Sequence, residues 1–386
     1  MGLYRFRRST FTAAKALFIC LVFLFLTACT KPEALKVMPP LQSDEPSEQT
    51  EEENGGASNW RLPIQVPEGE FFKTFGWLNE SELIYASNLA SGSNLYSYSL
   101  GTGESRLILS SNTPIVTAAV SPDMKKILVH TSPSSFEAIV SIYDLEGNEL
   151  MTQSFPSAEL RAEWNPYVED LALIIAFNED WTYSSYQMDT NENHVDELDL
   201  PDPFAKWAGK ELVAYLKWDE NTPSFFAPLV IKDLKGDITS SLDEQYYHIE
   251  AYENLLVSIS RDKLNEDQAV YTFYTPQLKE LGSFVVPHLT KFSDWLVPFQ
   301  AYSPGSETFA VFEPIRSGEA DAYTEGFTLA SYEIGGSREV ILEGVDNQPI
   351  VYSPDGKTIL YGYRLERLID PRTKKVINLI EESGQN

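Results

Sequence analysis

The 386-residue chain sets 29 Lys and Arg against 57 Asp and Glu, a formal net charge of −28. A field of that sign repels nucleic acid and anionic lipid headgroups, so no nucleic-acid partner is expected. Only Cys20 and Cys29 occur, too few for a disulfide framework or a thiolate metal site once the leader is removed.

The amino end carries Arg5, Arg7, Arg8 and Lys15 without an acidic residue, and an apolar run of 13 residues, 16–28, follows. Charge, length and a small-residue ending make residues 1–28 a signal peptide. The run is too short for an ordinary membrane span, which needs about 20 residues. It closes on Leu26-Thr27-Ala28-Cys29, which resembles the bacterial lipobox. The resemblance implies that the Cys29 thiol receives a diacylglyceryl group and that cleavage frees its amine for a further chain such as palmitate. Two chains anchor durably where one binds only marginally. The alternative is ordinary cleavage with Cys29 left as a free thiol.

Residues 31–59 are rich in Pro, Ser and Glu, with Asp44, Glu45, Glu48, Glu51, Glu52 and Glu53 and no base among them. Such a segment buries too little apolar surface to order itself. The expected layout is therefore a lipidated Cys29 and disordered acidic linker over 29–59, then one folded domain over 60–386. As a flexible coil the linker spans about 30 Å and serves as a tether.

From Trp60 onward the chain repeats. An aromatic or apolar anchor, then a polar turn, recurs at Trp77, Val120, Trp164, Trp207, Tyr252, Tyr302 and Tyr352, in steps of 43, 44, 43, 45, 50 and 50 residues. A second mark keeps step with the first: after each anchor comes a strand and then a Gly-, Asp- or Asn-rich turn, as in Gly101-Thr102-Gly103, Asp144 to Gly147 and Asp370-Pro371-Arg372-Thr373. No stretch of 12 or more residues outside the signal has a helical period, so the domain reads as all-β. Four short strands per repeat is the size of a β-propeller blade, and a ring of blades removes long exposed edges. Seven blades fit best; six result if the short last unit merges with its neighbours. That last unit reads as short of its outer strand, and segment 60–66 is expected to supply it and close the ring.

The anchor turns, above all Tyr352-Ser353-Pro354-Asp355-Gly356-Lys357, resemble the repeats of TolB-type propellers over nearly all of residues 60–381. Lipobox, acidic tether and degenerate propeller together resemble the YqgU-like lipoproteins of Gram-positive bacteria. That resemblance implies a fold and an address at the outer side of the cell membrane, and no activity.

Gly-x-Ser-x-Gly, His-Glu-x-x-His and a phosphate loop are all missing from the sequence. His130, His194, His248 and His288 fall one per unit without metal-ligand spacing and read as strand-end or loop residues. Asp189-x-Asn191-x-Asn193 imitates a calcium loop, but His194 stands where that loop requires Gly and Leu200 where it requires Glu; a hairpin turn is the better reading. No cofactor or metal is expected.

Loops joining the second and third strands are bland in the first two units, 88–94 and 131–136. They turn charged and aromatic in the next four: Asn178-Glu179-Asp180-Trp181, Trp218-Asp219-Glu220-Asn221, Arg261-Asp262-Lys263, and Arg316 to Asp321 within an insertion. Asp180, Trp181, Trp218, Asp219, Glu220, Arg261, Asp262, Arg316 and Asp321 are thus the candidate binding residues, suited to stacking on a sugar ring or holding a peptide loop. The alternative is a solvated rim with both tryptophans packed beneath it. A monomeric binding or scaffolding module for an envelope protein or glycan is favoured over a propeller enzyme acting on a glycan or lactone, because no convergent acid, base and metal set emerges.

Overall fold

Middle strands of the repeats are unbroken apolar runs, as in Leu171–Phe177 (LALIIAF), whereas the last strands mix polar with apolar residues and are largely exposed, as in Glu149–Pro156 (ELMTQSFP). An unbroken run fits a strand covered on both faces, and a polar mixture fits one with a solvated face. The computed structural model describes residues 60–381 except 220, 223, 237, 292 and 293; the signal, Cys29 and the linker lie outside the described residues.

The strands group into antiparallel meanders of four, whose spatial order is the chain order. They cover 70–111, 115–156, 159–198, 206–242, 246–287, 300–345 and 350–378, and we call them blades 1 to 7, with strands A to D in each. Blades 4 and 5 share the 15-residue strand Ile238–Tyr252: its first half pairs with Ala227–Asp233 as strand D of blade 4, and its second with Leu255–Arg261 as strand A of blade 5. An additional small sheet joins Leu289–Lys291 to Asp294–Leu296 and, in parallel, to Gly318–Glu319. The one helical turn among the described residues is the 3-10 turn Ala320–Ala322.

The core is divided into seams between blades. In blade 1, Ile84 and Ala86 pack into the seam with blade 2, while Leu83 and Tyr85 of the same strand pack into a seam with blade 7. Alternate residues of one strand thus serve two different neighbours, as the twofold side-chain period requires. Five further clusters join blades 2–3, 3–4, 4–5, 5–6 and 6–7. Seven seams in cyclic order make a closed ring of seven blades.

Each anchor of the repeat lies at or within two residues of the end of a strand A, and each second mark is the C–D hairpin. The turns are fastened alike: Ser121 Oγ donates to Asp123 Oδ1 (2.6 Å) and accepts from Lys126 N (2.9 Å), and Ser353 Oγ does the same with Asp355 Oδ1 (2.7 Å) and Thr358 N (3.0 Å).

Segment 60–66 corrects the expectation made for it. Blade 7 has its own outer strand, Lys375–Asn378, paired with Arg367–Asp370, and residues 60–66 form no strand. Pro63 within the segment and Pro67 just after it supply no ladder donors, while the hairpin after Asp370 brings Lys375–Asn378 back within reach. The segment instead packs into the seam between blades 7 and 1. Ile64 is 4% exposed, with Trp60, Leu62 and Val66 beside it. Its backbone is pinned by Arg61 N to Leu100 O (2.8 Å) and Ile64 N to Leu379 O (2.7 Å).

Packing without strand exchange makes the seam sensitive to Ile64 rather than to the segment's backbone order. Ile64→Ala should cost about 2 to 5 kcal/mol in chemical denaturation, whereas exposed Gln65→Ala should stay within about 0.5 kcal/mol. Equal midpoints for the two variants would remove residues 60–66 from the cooperative fold.

Candidate functional site

Strands A line the ring axis, and two ends of the sheets are open to build a site. At the end carrying the A–B turns, a cavity of about 520 Å³ is lined by residues of six blades: Val120, Pro122 and Met124 of blade 2; Glu163, Trp164 and Pro166 of blade 3; Lys206 and Trp207 of blade 4; Glu250 to Glu253 of blade 5; Pro304 and Gly305 of blade 6; and Pro354 of blade 7. Only a space on the axis can touch so many blades. Strand A of blade 4 is just Lys206–Trp207, and across that short strand the Tyr167 hydroxyl of blade 3 reaches blade 5, accepting from Asn254 N (3.0 Å) and donating to Tyr252 O (3.4 Å).

Charges on three successive strands A meet at this cavity. Lys206 Nζ lies 2.7 Å from Glu250 Oε1, and His248 Nε2 lies 3.8 Å from Glu250 Oε2. Glu163 is paired with Arg161 at 2.5 Å. Burial pushes the Glu250 carboxyl up, but the His248 hydrogen bond and the Lys206 charge together outweigh burial and hold it at about 2. Glu250 is therefore a fixed negative charge at neutral pH, unsuited to donating a proton.

The opposite end carries the B–C loops and, of the nine residues singled out from the sequence, the eight that lie among the described residues. Arg261 is seated on aromatic rings. Its guanidinium lies over the Phe226 ring at 5.1 Å and 6.0 Å from the Trp295 ring centre. Trp295 stacks on His288 at 4.0 Å and meets Tyr247 at a tilt, 5.1 Å between centres. The Arg261 guanidinium makes no hydrogen bond among the described residues, and its ion partner Glu266 stands 3.7 Å away, 82% exposed. A groove of about 510 Å³ opens beside it, lined by Ser224, Phe226, Glu244, Gln245, Ser260, Arg261 and Lys263.

Asp262 caps its own loop, with Oδ1 accepting from Leu264 N (2.7 Å) and Asn265 N (2.8 Å). Arg316 is occupied by Glu325 at 2.5 Å, and Asp321 lies exposed on the 3-10 turn. The loops of Arg261 and Arg316 are nevertheless brought together: Asp267 O, in the first, accepts both the Ser317 hydroxyl and His288 N.

Trp181 and Trp218 are 67% and 44% exposed, which excludes the arrangement with both packed beneath the rim. Trp181 sits at φ 65° in a tight turn and meets Phe177 edge-on at 6.0 Å. Trp218 N donates to Leu216 O, within blade 4. Neither ring lines the groove beside Arg261. Asp180 and Asp219 brace their own loops, the first accepting from the Thr182 hydroxyl (2.6 Å) and Thr182 N (3.1 Å), the second from Asn221 N (2.8 Å), and these bonds hold both carboxyls below the usual range. Glu220 lies outside the described residues.

Reading the sequence missed Glu163, Lys206 and Glu250. A signal existed: a charge stands one or two places before each of the anchors Trp164, Trp207 and Tyr252. The histidines also differ from expectation. His130 is buried within strand Lys126–Ser134 and His248 lies within strand Ile238–Tyr252, the first neutralised by burial and the second held by Glu250. Asp189 behaves as read, its Oδ1 closing a hairpin on Asn191 N (2.9 Å) and Glu192 N (3.0 Å).

The family model described as YqgU-like 6-bladed beta propeller domain matches residues 99–362. That description counts six blades; the matched span holds blades 2 to 6 whole and parts of blades 1 and 7, and in this chain the seven seams set the count. The protein named Uncharacterized lipoprotein YqgU of Bacillus subtilis (strain 168) is 24% identical over 345 residues, 88% of this chain and 93% of that protein. The 1.18 Å crystal structure of lmo1340 from Listeria monocytogenes EGD-e superposes with a TM-score of 0.76 at 21% identity, covering 84% of this chain and 99% of that one. The propeller domain of the Trilobed protease from Pyrococcus furiosus, titled as having an open velcro topology, gives 0.53 at 12% identity, over 82% and 99% of the two chains. The structural likenesses speak for the fold.

The depressed Glu250 carboxyl fixes how the axial pair responds to acid. Its folded value of about 2 lies below the ordinary 4.5, so its stabilisation is complete above the ordinary value and is lost as pH falls toward about 2. Glu250→Gln should cost about 3 kcal/mol near neutrality, and the difference from the natural protein should shrink steadily in denaturant titrations below about pH 4. A difference that stays the same down to about pH 3 would show that the carboxyl is not held ionised.

Proposed function

Because this chain belongs to the YqgU-like six-bladed β-propeller family, we propose that it is a membrane-anchored lipoprotein whose propeller is a binding module for an envelope protein or glycan. The proposed layout is a signal over 1–28, an acylated Cys29 leading a tether over 29–59, and the propeller over 60–386. The lipobox at Cys29 supports the anchor, as does the similarity to a protein named as a lipoprotein. Such an anchor places the propeller on the extracytoplasmic side, at the end of its tether.

The observation that carries a binding role is the state of Arg261. A guanidinium spread over Phe226 and Trp295 is oriented in advance, and with only a distant, exposed carboxylate beside it, its donors remain available to a ligand. The groove beside it has the volume of a small-molecule or side-chain site. The ionised, paired Glu250 favours binding over acid catalysis at the axis.

Two variants test the two halves of this reading. Cys29→Ser should shed the protein from membranes or leave it unprocessed; retention at mature size through a high-salt wash would refute lipid anchoring. In crosslinking and pull-down from intact cells, Arg261→Ala should reduce recovery of the partner about tenfold or more. Arg261→Lys, which keeps the charge and loses the planar fork, should fall between, while Ser91→Ala and Ser134→Ala should match the natural protein. Undiminished recovery with folded Arg261→Ala would take the groove out of the binding role.

A further inference from the structure

We propose that the axial cavity is a second binding site, at the other end of the blades from the Arg261 groove, and that it takes a primary alkylammonium group of the lysine side-chain type. Size, wall and charge point the same way. About 520 Å³ lies within the range of small-ligand sites and far exceeds the need of one amine and its methylene stem. The wall is apolar where a stem would run, with Val120, Met124 and four prolines, one each from blades 2, 3, 6 and 7. Trp164, Trp207 and Tyr252 add aromatic surface, which attracts cations as well as methylenes.

The charges decide the sign of the ligand. Three carboxylates, Glu163, Glu250 and Glu253, face one lining amine, Lys206. Glu163 is neutralised by Arg161, and Lys206 takes one oxygen of Glu250. What remains is Glu253, exposed and without a side-chain ion-pair or hydrogen-bond partner among the described residues; the second oxygen of Glu250 is already engaged by His248 at 3.8 Å and contributes charge rather than a free acceptor. The Lys206–Glu250 contact at 2.7 Å is itself an alkylammonium on this carboxylate, so the geometry being proposed already exists once in the cavity. An anion would meet surplus negative charge there, and the net charge of −28 draws cations toward the protein.

Met124 lines the cavity, so its methyl resonance in the full propeller reports occupancy. Titration at low salt with cadaverine and with Nα-acetyl-lysine N-methylamide should move that signal saturably, and hexanoate or 1-pentanol should not. Glu250→Gln and Glu253→Gln should each weaken binding about fivefold or more. Because Glu253 is exposed and unpaired, its variant keeps the fold even if Glu250→Gln is destabilised. Tighter binding of the lysine amide than of the diamine would assign a chain-borne lysine, and the reverse order a free amine. Arg261→Ala should leave these titrations unchanged, which separates this site from the groove. The proposal is overturned if neither amine moves the Met124 signal, if hexanoate binds equally well, or if Glu253→Gln binds with undiminished affinity.

Discussion

Everything in this structure depends on sheets that are covered only by one another. Strands such as Leu171–Phe177 have no solvated face: Ala172, Ile174 and Ala176 pack toward blade 2, while Leu173, Ile175 and Phe177 pack toward blade 4. No blade could bury both faces alone, so stability belongs to the ring rather than to any unit. With one sheet every 43 to 50 residues and no cysteine pair in the propeller, close packing across seven seams is what holds the circle shut.

Closure is where such a ring is weakest, because each of its two end blades is built from one end of the chain. Here no strand crosses over. Blade 1 and blade 7 are each complete, and Thr74 N donates to Arg364 O (2.9 Å) across the join while Arg364 spreads over Phe71 at 5.3 Å. The segment around Ile64 then fills the outer part of the same seam. Side-chain packing does the work that an exchanged strand would otherwise do, and an apolar residue every second place in Leu62, Ile64 and Val66 is sufficient for it.

Since the seams consume the middles of the strands, chemistry is left to their ends, and the two ends differ. The A–B end is built by the anchors themselves, so Trp164, Trp207 and Tyr252 serve at once as the termini of strands A and as cavity wall. Charges are tolerated on these strands because they face the axis and pair there, Lys206 with Glu250 from one blade to the next. At the B–C end the small sheet formed by Leu289–Lys291, Asp294–Leu296 and Gly318–Glu319 delivers Trp295 to Arg261. Long insertions in the fifth connection and the sixth blade are therefore what turn a row of solvated loops into a shaped groove.

The sequence by itself determined the class of fold, its period and the position of its turns. Those features rest on local rules: a Ser-x-Asp turn closes on its own backbone at 121–126 and 353–358, a Gly or Asp marks six of the seven C–D hairpins, and buried strands must read apolar. It also singled out Arg261, through its place in a charged loop. Tertiary structure alone decided which residues meet. Glu163, Lys206 and Glu250 stand 43 and 44 residues apart, a spacing without meaning until the ring closes and carries three successive strands to one axis. Likewise Phe226, His288 and Trp295 reach Arg261 from separate elements, and Ile64 reaches Leu379 from the far end of the propeller. Local chemistry sets each turn and strand, but contacts between distant residues depend on how the seams pack, and packing is a property of the whole ring.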